Sequence, residues 1–107
     1  KTVPAIEGEH GFTMAVNKVS PGKEAPLHSH PKPEVFVVLS GQCSFFWGDK
    51  GENEVTLDPW DTISFPAGTK EGFLNVGQGE AVLLVVLTCS EIGEVTFDKS
   101  ASQEARV

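Results

Sequence analysis

Gly22-Lys-Glu-Ala-Pro-Leu-His28-Ser-His30-Pro-Lys-Pro-Glu34-Val-Phe-Val-Val-Leu-Ser-Gly41 is the stretch of this chain that says most about its fold. In an extended strand, alternate side chains share a face. His28 and His30 therefore point the same way, about 7 Å apart along the backbone, and two imidazoles so placed can converge on one ion. Glu34 keeps the parity of the histidines, but Pro31 and Pro33 interrupt ladder hydrogen bonding between them. The pattern predicts a strand carrying both histidines, a bend, and Glu34 opening the next strand, with Phe36 and Val38 following it inward. Imidazole with carboxylate suits Fe, Mn, Ni, Co or Zn as a divalent ion. Two histidines and one carboxylate on one face leave coordination positions open for a metal-assisted reaction. The bland alternative is a solvated loop with two incidental histidines.

Outward from this stretch, turn residues punctuate the chain at Pro21-Gly22, Ser40-Gly41, Gly48-Asp49-Lys50-Gly51, Asp58-Pro59, Pro66-Ala67-Gly68 and Gly77-Gln78-Gly79. Short runs rich in β-branched and aromatic residues lie between them. They predict strands at about Thr13–Val19, Glu34–Leu39, Ser44–Trp47, Val55–Leu57, Thr62–Phe65, Gly72–Val76 and Ala81–Thr88, with a last one at Val95–Phe97. No ten-residue stretch free of Gly and Pro keeps a helical period, so the chain reads as all-β, a sandwich or barrel. Val35–Leu39 and Ala81–Leu87 are apolar on both faces. One face meets the interior; the other must meet a second sheet or a partner subunit, which points to a homodimer.

With 107 residues the chain has room for one domain. That domain spans 1–107, with 1–11 as an N-terminal extension and the polar residues 100–107 expected to fray. Eight basic residues face fifteen acidic ones, a net charge of -7 with no basic cluster. This argues against nucleic acid and anionic membrane surfaces as partners. Cys43 and Cys89 lack C-x-x-C spacing and read as reduced structural thiols, consistent with a cytoplasmic protein. Ala81–Leu87, the longest apolar run, is too short to cross a bilayer, and no signal peptide is visible. Nucleophile-elbow, P-loop and dinucleotide fingerprints are absent. Ser29 between the histidines points away from both, so no triad forms. His10, flanked by Gly8 and Gly11, reads as part of a surface turn.

The stretch from Gly22 to Gly41 resembles the first motif of the cupin family: glycine, five residues, His-x-His, three residues, Glu, six residues, glycine. Gly22, His28, His30, Glu34 and Gly41 fill its fixed slots. The resemblance implies a double-stranded β-helix, or jelly-roll, barrel with His28, His30 and Glu34 as metal ligands in its pocket. The second motif of the family ends in Pro-x-Gly, two residues, His, three residues, Asn. Here Pro66, Gly68 and Asn75 match, but Trp60 stands where the motif has its leading glycine and Glu71 where it has the fourth ligand histidine. Parity puts Glu71, Phe73 and Asn75 on one strand face. Glu71 then has three readings: a fourth metal ligand, a catalytic general base or substrate contact, or a structural residue turned outward or paired with Lys70 or Lys23. Two buried carboxylates without a cation would repel each other, so an inward Glu71 favours a bound ion. Phe36, Phe73 and Asn75 are candidate pocket residues; Phe36, Phe73, Phe45 and Trp47 could floor a pocket or be plain core, and Asn75 could orient a ligand or cap a turn. What the resemblance implies for function is a divalent-metal cupin, acting as a dioxygenase, isomerase or lyase on a small organic substrate. The alternative is a non-catalytic sugar- or small-molecule-sensing cupin with a structural metal or none.

Overall fold

The computed structural model describes residues 5–88 and 96–97. Residues 5–12 are exposed and lead into β1 (Thr13–Val19). There follow β2 (Glu24–Ser29), β3 (Glu34–Ser40), β4 (Cys43–Trp47), β5 (Asn53–Leu57), β6 (Thr62–Phe65), β7 (Glu71–Asn75), β8 (Ala81–Leu87) and β9 (Thr96–Phe97). No helix occurs among the described residues, and none is long and apolar enough to cross a membrane. Cys89, Val95 and the tail 100–107 lie outside the described residues.

The strands form two sheets, one ordered β1-β8-β3-β6 and the other β5-β4-β7-β2-β9, with every pairing antiparallel. Neighbours in space are seldom neighbours in sequence, which is the wound connectivity of a jelly roll. The sheets face each other across one core. Phe36, Val38, Phe65, Leu83 and Val85 enter it from the first sheet, and Ala25, Cys43, Phe45 and Phe73 from the second.

Period-2 alternation is sharpest in β3 and β8. Glu34, Phe36 and Val38 are buried while Val35, Val37 and Leu39 are half-covered; Leu83 and Val85 are buried while Val82, Leu84 and Val86 are half-covered. Both strands are thus apolar on the outside as well, and Met14 and Val16 of β1 extend that outer face, exposed.

Two backbone features explain residue choices. Gly41 has φ of 82°, and a Cβ there would stand 2.8 Å from the Ala81 Cα, so the turn into β4 requires glycine. Trp60, in the leading-glycine slot of the second motif, adopts φ of 76° and is 77% exposed. Tryptophan therefore holds the left-handed conformation that glycine would adopt without strain.

Candidate metal centre

Four side chains meet at one end of the barrel. His28 lies near the end of β2, His30 just beyond it, and Glu34 and Glu71 open β3 and β7. Each offers a ligand atom, and these atoms lie within 4.8 Å of one another. All four residues are buried, the histidines at 6% exposure and the glutamates at 2%.

A β-bulge makes the convergence possible. β2 pairs with β7 through Ala25↔Phe73 and then His28↔Glu71, so three residues on β2 match two on β7. Pro26 falls in this gap and has no N–H to give the ladder. The extra residue switches parity, so Ala25 faces the core and His28 does too. The Pro26 carbonyl then takes a second role: His28 Nδ1 lies 2.7 Å from it. A carbonyl only accepts, so Nδ1 carries a proton and Nε2 is the nitrogen turned to ligation. His30 is anchored by the second-motif turn, where the Gly68 N–H donates to the His30 carbonyl at 2.7 Å. The two rings stand edge-on, with centroids 4.9 Å apart and planes at 83°.

His30 Nε2 and Glu34 Oε1 approach to 3.0 Å. Yet neither atom has an aligned hydrogen-bond partner, and Glu71 Oε1 also has none. All three belong to the cluster whose ligand atoms lie within 4.8 Å of one another. Buried polar atoms without partners are costly and rare, and three of them in one cluster make a site that asks for a cation.

The carboxyl groups are electrostatically opposed. Burial, and then the neighbouring Glu34, push Glu71 up to about 11. Burial raises Glu34 too, but adjacent His30 and Glu71, and the charge of His30 and His28, outweigh it and leave Glu34 below its ordinary value. Without a cation the pair holds one proton, carried by Glu71. Two nitrogen and two carboxylate donors suit Fe, Mn, Co, Ni or Zn.

A family model described as the cupin domain matches residues 15–87. The chain is a cupin. Its structural neighbours include an oxalate oxidase, at 28% identity and a TM-score of 0.70 over 81% of this chain and 46% of that one. The DMSP lyase DddQ from Ruegeria pomeroyi DSS-3 matches at 18% identity and TM-score 0.72, covering 87% of this chain and 46% of that one. A conserved protein with a double-stranded β-helix domain from Klebsiella pneumoniae matches at 21% identity and TM-score 0.74, covering 92% and 81%. This chain thus spans under half the length of the oxidase and the lyase. No curated protein matches its sequence.

Within this cupin, the structure brings His28, His30, Glu34 and Glu71 together and separates them from Asn75. Glu71 faces inward, so the reading that turned it outward is overturned: its pairing with the bulged His28 carries it into the barrel. Phe36 and Phe73 lie beneath the cluster in a packed aromatic group with Phe45 and Phe65, ring centroids 5.0–6.5 Å apart, and Trp47 packs against Phe65 at 6.0 Å with the rings tilted by 59°. Asn75 sits at the far end of β7, donating to the Val19 and Gly79 carbonyls and accepting from the Gly77 N–H, which ties down the β7–β8 turn. His10 is exposed, with Nε2 3.0 Å from the Ile6 carbonyl. The sequence reading missed the Pro26 carbonyl and the Gly68 anchor; a proline two residues before His28 was the available signal for the first.

Proposed function

We propose that this cupin is a metal-dependent enzyme for a small organic molecule, with a divalent transition ion held by His28, His30, Glu34 and Glu71. What supports this reading is the buried cluster of four ligand side chains, in which one atom each of His30, Glu34 and Glu71 lacks a hydrogen-bond partner. A bound ion would supply Lewis-acid polarisation of a substrate oxygen. The chain's own residues do the rest. Pro26 fixes the tautomer of His28 and Gly68 anchors His30. Phe36, Phe65 and Phe73 close the barrel beneath the cluster and keep water from that side. Glu71, the carboxylate in the slot of the fourth ligand, would complete the donor set beside Glu34. The oxidase and lyase names of two structural neighbours make oxidation and elimination the reaction classes to assay first.

Elemental analysis of the purified chain and of a His28→Ala/His30→Ala variant tests the assignment. One transition ion per wild-type chain, lost in the variant, is expected. Tight metal uptake by the variant defeats it. A full metal complement without turnover of oxygen-dependent, sugar or keto-acid substrates would favour a binding or sensing module.

We also propose that two copies pair through the outer face of β1, β8 and β3. Met14, Val16, Val35, Val37, Leu39, Val82, Leu84 and Val86 share it, and Lys18 is the single charged residue at its outward positions. For a chain of net charge -7, that face brings two copies together with least repulsion. Light scattering of the wild type and of Leu84→Asp is the check: a dimer reduced to a monomer is expected, and a monomeric wild type overturns the pairing.

A further inference from the structure

We infer that the centre selects its ligands by charge, admitting neutral molecules beside the ion and turning away small anions, with Glu71 as the residue that sets this preference. The inference rests on the metal site proposed above. Its starting point is the donor set. His28 Nδ1 is turned to the Pro26 carbonyl, which makes Nε2 the atom it would offer the ion. Imidazoles ligate through a nitrogen lone pair and add no charge, so a divalent ion held by two of them and two carboxylates gives a centre of zero net charge. Histidine in place of Glu71, as in the second-motif pattern, would leave one positive charge to attract an anion.

Among the described residues, the groups acting on Glu34 and Glu71 are each other and the two histidines. The floor is aromatic, and Leu87 and Phe65, the cross-strand partners of Glu34, are apolar and buried. An anion entering here would convert a neutral centre into a buried negative one in surroundings that screen poorly. The net charge of -7 opposes its approach from a distance as well. A neutral oxygen or nitrogen donor meets neither obstacle. Glu71 is thus a specificity determinant that acts through charge, whichever reaction the site performs.

The test uses the full chain loaded with Co(II), whose visible absorption reports exogenous ligands, titrated with azide and with glycolate. Wild type is compared with Glu71→Gln, which keeps the shape and removes the charge, and with Glu71→His. Both variants are expected to bind the anions at least about tenfold more tightly than wild type, the effect of one unit of charge a few ångström away. Equal affinities in wild type and variants overturn the inference while leaving the metal site standing. If wild type takes up no cobalt, the metal reading fails first, and this inference with it. Where neither variant retains cobalt, wild type decides alone: micromolar azide binding overturns the inference, and none at about 100 mM supports it.

Discussion

Removing the ion should make the stability of this protein fall as pH rises, and Glu71→Gln should abolish that fall. Glu71 is 2% exposed and pushed up to about 11 by burial and by Glu34, from an ordinary value of 4.5. Between those values the folded chain keeps a proton that the unfolded chain releases. The contribution is therefore complete below the unfolded value and is lost as pH rises toward the folded one, by at most about 1.4 kcal/mol per pH unit. From about pH 6 to about pH 8 the loss approaches 2.7 kcal/mol, a drop of about 1–2 M in urea midpoint for a domain this size. Glu34 shifts the opposite way, so its effect is confined to acid pH, below its ordinary value of 4.5. Urea denaturation of chelator-treated wild type and Glu71→Gln across this range measures the difference, and the variant cancels contributions from other groups. Saturating metal should flatten the wild-type slope, because the ion takes the place of the proton. A chelated wild type with the same slope as Glu71→Gln would refute the shared-proton description of the pair.

Other consequences concern the framework. Trp60→Gly should relieve the left-handed strain at φ of 76°; set against the extra freedom of glycine, a gain of about 0.5–1 kcal/mol, or about 3–6 °C in Tm, is expected by calorimetry. An unchanged or lower Tm would show that Trp60 packs productively there. Gly72→Ala should cost about 2–3 kcal/mol in urea denaturation, since its Cβ would stand 2.5 Å from both the Ala25 carbonyl oxygen and Phe46 Cε1; a neutral result would mean that β2 and Phe46 yield easily. Burial pushes the Cys43 thiol up to about 12, against a weaker effect of the Leu74 carbonyl it donates to. In a Cys89→Ser background it should resist alkylation at neutral pH until the chain is unfolded, and rapid labelling of the native protein would contradict that burial.

The strands with clean alternation were legible in the sequence. β1 and β6 have the predicted bounds, β3, β4, β5 and β8 differ from theirs by one or two residues at one end, and β7 is shifted by one residue so that it begins at Glu71. Parity also placed Glu34, Phe36 and Val38 on the inward face they occupy. β2 was harder, because Pro26 breaks its ladder and the bulge reverses parity between Ala25 and His28. Read as an unbroken strand, Glu24–Ser29 gives no consistent inward face. The role of Glu71 stayed open for a related reason. Its inward direction depends on the strand it pairs with, and pairing is not written in local alternation. Asn75 shows the complementary limit: parity correctly put it on the face of Glu71 and Phe73, but a face is not a depth.

Depth along β7 separates the tasks of this barrel. Its inward residues Glu71, Phe73 and Asn75 succeed one another at about 7 Å per step. The first contributes an unpartnered oxygen to the cluster, the second joins the aromatic layer, and the third is saturated with hydrogen bonds at the opposite turn. A layer of Phe36, Phe45, Phe65 and Phe73 between two polar ends supplies apolar burial independent of the cluster. The energetic liability of two opposed carboxylates is thereby confined to the first residues of β3 and β7 and the end of β2. The fold can carry a site that is unfavourable when empty, because the core and the Asn75 turn hold without it. Chelation should accordingly loosen the His28–Glu71 end and leave amide protection around Asn75 intact.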